Sequence, residues 1–147
     1  MSNTEPTITI WRGRTSVRVP RQEIHRLVPF VADRQNCPLT EVDLAFVGPA
    51  EITQYNEQWM HHAGPTDVIS FDLTQPGDRG LSVQLLICGE VAAGEAPKHG
   101  NSTRRELLTY VVHGLLHQMG LDDQTPEEFE AMKARQEEIL REFERGK

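Results

Sequence analysis

His113 and His117 stand four residues apart in an otherwise apolar stretch running from Leu107 to Met119. On a helix, that spacing turns both imidazoles to one face, one turn apart. Two nitrogens so placed can grip one metal ion, with Zn–N distances of about 2.0–2.1 Å. A buried helix is also a costly place for an unpartnered imidazole. A lone core histidine would be read as hydrogen-bonded to a carbonyl; a stacked pair points instead to a metal. Catalytic zinc sites take three protein ligands and leave one position for water. Asp122 and Asp123, just past the helix, are both chemically suited to be the third. The spacing is that of the HExxH peptidases, but Gly114 stands where their general-base glutamate would be, which excludes that chemistry.

The helix carrying the pair has readable ends. Thr103 with Glu106 three residues on forms a capping box, and Gly120 is placed to stop the helix. Leu107, Leu108, Tyr110, Val111, Val112, Leu115 and Leu116 cover nearly every side of it, so it belongs at the centre of a fold. Thr125 and Glu128 form a second capping box with Pro126 at the first helical position. The helix they open carries Phe129, Met132, Ile139, Leu140 and Phe143 on its apolar side. Upstream, Thr7–Trp11, Val42–Val47 and Val68–Phe71 read as strands, and Val17–Val19 as a segment that pairs back on the first. Val83–Cys88 is apolar enough for a strand covered on both faces. Helices are expected after Pro20, kinked or ended early by Pro29, and over Pro49–Met60 with Ile52, Tyr55 and Trp59 on one side. Residues 74–80 and 89–100 read as loops, the latter with at most a short helical turn. The predicted fold class is α/β (α+β): one domain over residues 1–147, a small mixed sheet packed by helices around the central buried helix that bears the metal ligands.

Composition sets wider bounds. The chain has 147 residues, 37% hydrophobic and 25% charged, as in an ordinary globular protein. Two distant cysteines, Cys37 and Cys88, suit a reducing compartment rather than a disulfide framework. No apolar run is long enough to span a bilayer, and no secretory pattern opens the chain, so the expectation is cytoplasmic with no membrane partner. The net charge of −7 is unevenly spread. From Trp11 to Arg34 six arginines face two acids, whereas nine acids face five bases from Asp122 onward. An arginine-rich first third could hold phosphates, or could be no more than a solvated face.

The stretch Val112–Asp123 resembles the signature HGxLHLxGYDH of the YbeY family, bacterial endoribonucleases of rRNA maturation and ribosome quality control. Pro65–Phe71 matches that family's PT(D/N)VLSF block, and Asn56, Glu106, Met132, Glu137 and Glu138 also fit, so the resemblance spans about residues 42–140. It implies a single-strand-specific, zinc-dependent endoribonuclease acting in rRNA 3′-end maturation, with one Zn²⁺ per chain, rRNA and the small ribosomal subunit as partners, and no DNA. Position by position, His113 and His117 are the first two metal ligands, and Asp123 falls where the family has its third histidine, which selects it over Asp122. A carboxylate in that place lowers the net charge on the metal site to about +1, so bound water should be acidified less than in a three-histidine site. The family's helical arginine is replaced by Met60, beside His61 and His62, and its Gly-Asp before the buried strand by Val83-Gln84. Thr66, Asp67, Ser70 and His61 are the candidate catalytic residues, with no general base assigned. Arg12, Arg14 and Arg18 are the candidate RNA contacts. The altered ligand and missing arginine leave room for a second reading, a zinc-stabilised ribosome-associated RNA-binding factor with little catalysis. A small-molecule hydrolase using the same cleft is a third.

Overall fold

A computed structural model describes residues 5–61 and 64–146. Four strands, β1 (Thr7–Arg12), β2 (Leu39–Val47), β3 (Val68–Asp72) and β4 (Leu81–Cys88), form one sheet in the order β1-β2-β4-β3. β1, β2 and β4 are parallel, and β3 runs antiparallel along β4, with Val68 opposite Ile87 and Ser70 opposite Leu85. The helices are α1 (Arg21–Arg34), α2 (Pro49–Trp59), α3 (Gly89–Glu95), α4 (Thr103–Gln118) and α5 (Pro126–Arg145).

The two-residue period of the strands sorts their side chains between two cores. Val42, Leu44 and Phe46 of β2 and Val83, Leu85 and Ile87 of β4 join α1, α4 and α5 in the larger one. Val47, Leu86, Cys88 and Ile69 point the other way and pack with Ile52 of α2. β4 is therefore covered on both faces, which its sequence requires. α4 lies across β3 and β4 so closely that a Cβ on Gly114 would stand 2.7 Å from Leu85 Cδ2. The residue that excludes the peptidase motif is thus the one that lets this helix sit down on the sheet.

Several elements differ from expectation. Val17–Val19 forms no strand: Glu90 accepts from Ser16 N (2.7 Å), Ser16 Oγ (2.9 Å) and Thr15 Oγ1 (2.8 Å), which draws this segment towards the start of α3. α1 runs through Pro29 to Arg34, because burial of Ile24, Leu27, Val28 and Val31 outweighs the hydrogen bond that proline removes. Residues 89–99 are helical, α3 followed by a 3₁₀ turn at Ala96–His99. Gly89, which reads as part of a loop, is what close packing demands, since a Cβ there would meet Thr15 Oγ1 at 2.2 Å. α2 buries Ile52 and Asn56, leaving Tyr55 and Trp59 exposed. Phe129 of α5 is exposed as well.

Candidate metal centre

α4 is capped by Ser102, whose Oγ accepts from Arg105 N at 3.1 Å, and Thr103 is its first residue. Glu106 is consequently not half of a capping box. It is 1% exposed and folds back over the preceding turn, meeting His99 Nδ1 at 2.8 Å and accepting from Asn101 Nδ2 at 2.9 Å. Burial, reinforced by that carboxylate, pushes the Tyr110 hydroxyl well above its ordinary pKa. At the other end Gly120 takes φ +107, Gly120 N donates to His117 O and Leu121 N to Leu116 O. These are the paired bonds of a Schellman ending. They reverse the chain directly after His117 and return Asp122 and Asp123 to the helix end.

The result is a convergence of donors. Ligand atoms of His117, Asp122 and Asp123 all lie within 4.8 Å of one another. His113 stands outside that triple, yet its Nε2 is 3.6 Å from Asp123 Oδ2. Two ligands of one tetrahedral zinc are separated by about 3.4 Å, so the second spacing is close to that of a shared ion, while the first needs side-chain rotation to close. Asp123 belongs to both groups; Asp122 Oδ1 also accepts from Asp123 N at 2.9 Å. His117 and Asp122 are exposed, His113 and Asp123 half-buried, so the cluster opens to solvent.

His113 has a partner that its own helix does not supply. Its Nδ1 lies 2.5 Å from Gln136 Oε1 of α5. A carboxamide oxygen only accepts, so Nδ1 carries the proton and Nε2 presents a lone pair towards Asp123. Two acceptors facing one another are unfavourable until a cation or proton lies between them, and a cation fits that demand. An outer hydrogen bond of this kind fixes ring orientation and tautomer in histidine metal sites. Gln136 was not singled out from the sequence. The available signal was its position, one polar residue in the buried stripe of Met132, Ile139, Leu140 and Phe143.

The other sequence-derived candidates are dispersed. A cavity of about 450 Å³ beside His113 is lined by Asp67, Tyr110, Phe129, Lys133 and Gln136. Of the four catalytic candidates, Asp67 alone lines it. Asp67 Oδ1 accepts from Val68 N (2.7 Å) and Thr66 Oγ1 (3.3 Å), so both residues shape the entry to β3. Ser70 accepts from Gln118 Nε2 at 2.8 Å, which ties the edge strand to the last turn of α4. Asn56 Nδ2 donates to Gly64 O and anchors the chain ahead of Pro65. His61 is exposed with φ 59, and it belongs neither to the donor cluster nor to this cavity; His62 lies outside the described residues. Arg12 and Arg18 line a different groove, and Arg14 is exposed, its N–H donating to Glu51 Oε1. No helix among the described residues is long and apolar enough to cross a membrane.

Fold and donor set define a class: a small mixed-sheet α/β domain whose central helix ends in a histidine–carboxylate cluster able to hold a metal ion. Residues 11–144 match the model of the family described as Endoribonuclease YbeY, and the chain belongs to that family. Among proteins bearing that name, one from Nocardioides sp. is 43% identical over 76% of this chain and 80% of its own length. Those from Clavibacter michiganensis (37%, covering 87% and 90%) and Beutenbergia cavernae (34%, covering 92% and 96%) are also similar. The solution structure of TM1509 from Thermotoga maritima superposes with a TM-score of 0.59 at 25% identity, covering 95% of this chain and 93% of that one.

Proposed function

We propose that this protein is a zinc-dependent endoribonuclease that cleaves single-stranded RNA, acting in the cytoplasm on rRNA 3′ ends and in quality control of the small ribosomal subunit. One observation carries the chemistry: an imidazole whose Nδ1 proton is committed to Gln136 turns its Nε2 towards the Asp123 carboxylate at 3.6 Å. His113, His117 and Asp123 would hold one Zn²⁺, with Asp122 organising the Asp123 backbone. A zinc ion held there supplies a Lewis acid for the phosphodiester and acidifies water. The chain's own groups do the remainder. Gln136 fixes the His113 ring, and the reversal at Gly120 presents the carboxylates. Lys133 is the cation of the cavity beside His113, set among the carboxylates of Asp67, Glu106 and Glu137; it can meet a phosphate, and Asp67 can take a proton.

The test compares zinc-loaded protein, the same protein in excess chelator, and His117→Ala on a labelled single-stranded RNA. Cleavage should require both metal and His117. Equal cleavage by all three samples would identify a contaminating nuclease and remove the proposal. The second reading, a zinc-stabilised RNA-binding factor, draws on Met60, which is 44% exposed where the family carries an arginine suited to phosphate. It predicts binding to RNA or ribosome without turnover.

A further inference from the structure

Four of the six arginines from Trp11 to Arg34 gather where the sequence could not place them. Arg12 at the end of β1, Arg18 in the following segment, Arg21 and Arg26 of α1, and Arg104 in the first turn of α4 line one groove of about 980 Å³. Glu23 is the one carboxylate among the lining residues, and Arg104 holds it at 2.6 Å. Arg12 Nε donates to Val17 O and Arg21 donates from one terminal nitrogen to Ile10 O, which fixes the two stems and leaves each guanidinium further N–H groups. Arg26 lies over the Phe143 ring at 5.4 Å. Arg104 is also 3.9 Å from Glu144, so its charge is taken up by two carboxylates, but Arg12, Arg18, Arg21 and Arg26 remain and make a concave basic surface on a chain of net charge −7. Guanidinium forks match phosphate oxygens in geometry as well as charge.

The groove is not the metal centre. Arg104 and His117 are thirteen residues apart on one helix, which puts them about 20 Å apart along its axis. We infer that this groove is a second binding site, which holds the phosphate backbone of a single RNA strand while a distant segment of the same strand occupies the metal centre. The ligand rests on the RNA-cleaving reading above; the site itself rests on the arginines. A stacked strand advances about 3.4 Å per nucleotide, so about six nucleotides separate the two sites.

The experiment uses the full chain in excess chelator, so that binding is measured apart from cleavage, with Arg12→Ala/Arg18→Ala as the variant and thermal melting as the check on folding. By fluorescence anisotropy the wild type binds a single-stranded 20-mer, and the folded variant binds it roughly tenfold more weakly at low salt. The slope of log affinity against log salt falls by about 1.4, at about 0.7 per lost phosphate contact on single strands. In zinc-loaded samples, lengthening the RNA on one side of the cut from three to about eight nucleotides lowers KM for the wild type and not for the variant. kcat is unchanged. Identical affinity and salt slope in the two proteins would overturn the inference. So would binding to vesicles of phosphatidylglycerol with none to the 20-mer. Intact groove-dependent binding without any cleavage would defeat the nuclease reading and leave the groove standing.

Discussion

Replacing Gln136 by leucine isolates the least visible member of the proposed metal centre. Leucine has nearly the volume of glutamine and is a good helix former, so α5 should persist. What disappears is the acceptor for His113 Nδ1, leaving the ring free to rotate and to place its proton on either nitrogen. Loss of such an outer partner lowers metal affinity by about 10–100-fold, equivalent to about 1.4–2.7 kcal/mol. The effect on the metal-free fold is smaller. An unpaired buried N–H costs about 1–3 kcal/mol, but the His113 side chain is 29% exposed, so water can replace the amide and the low end applies. Leucine in the apolar stripe of α5 offsets part of that loss. The two quantities therefore separate: competition against a chromophoric chelator should show Zn²⁺ bound 10–100-fold more weakly, while melting in chelator shifts by only a few degrees. Gln136→Glu, which keeps an acceptor in place, should bind at least as well as wild type. Zinc affinity within threefold of wild type for the leucine variant would refute the argument that Gln136 positions His113.

Three further outcomes follow from local geometry. Gly114→Ala gains about 1 kcal/mol of helix propensity but drives a methyl to 2.7 Å from the buried Leu85 Cδ2, an overpacking of about 1–3 kcal/mol; chemical denaturation should show net destabilisation, and a stabilised variant would contradict the close contact between α4 and β4. Ser102→Ala removes the acceptor for Arg105 N and should cost about 1 kcal/mol, whereas Thr103→Ala should cost far less, the reverse of what the sequence-level capping box implies. Burial pushes the Glu90 carboxyl up, but its hydrogen bonds from Ser16 and Thr15 more than offset this and hold it below its ordinary value of 4.5. A depressed carboxylate contributes stability that is complete above that value and is lost as pH falls through the lower folded-state pKa. Denaturation curves for wild type and Glu90→Gln should therefore differ at pH 7 and converge as pH falls below about 4.5; a constant gap down to pH 2 would exclude ionisation as the cause.

What could be read in the sequence was local. The four-residue spacing of His113 and His117 needed a helix alone to bring them to one face. Gly120 was readable as the stop because a left-handed residue is needed there, and Thr125 with Glu128 forms the reciprocal cap that their spacing announces, each side chain meeting the other's N–H at 3.1 Å. The apolar run of β4 foretold burial on both faces. These signals act within a turn or two, where chain geometry is nearly fixed by residue type. Everything decided by elements distant in the chain required the tertiary structure. Gln136 meets His113 across twenty-three residues, and Glu90 reaches back seventy-four to Ser16 and cancels an expected strand. Residues 89–95 read as a loop because of Gly89 and Gly94, yet they are helical, and Gly89 is what lets the helix begin beneath the segment that Glu90 holds. The arginines were visible as a charge excess, but whether they adjoined the histidines depended on which end of α4 they reached. β1, α1 and the segment between them deliver four of them to its first turn, and the histidines occupy its last two.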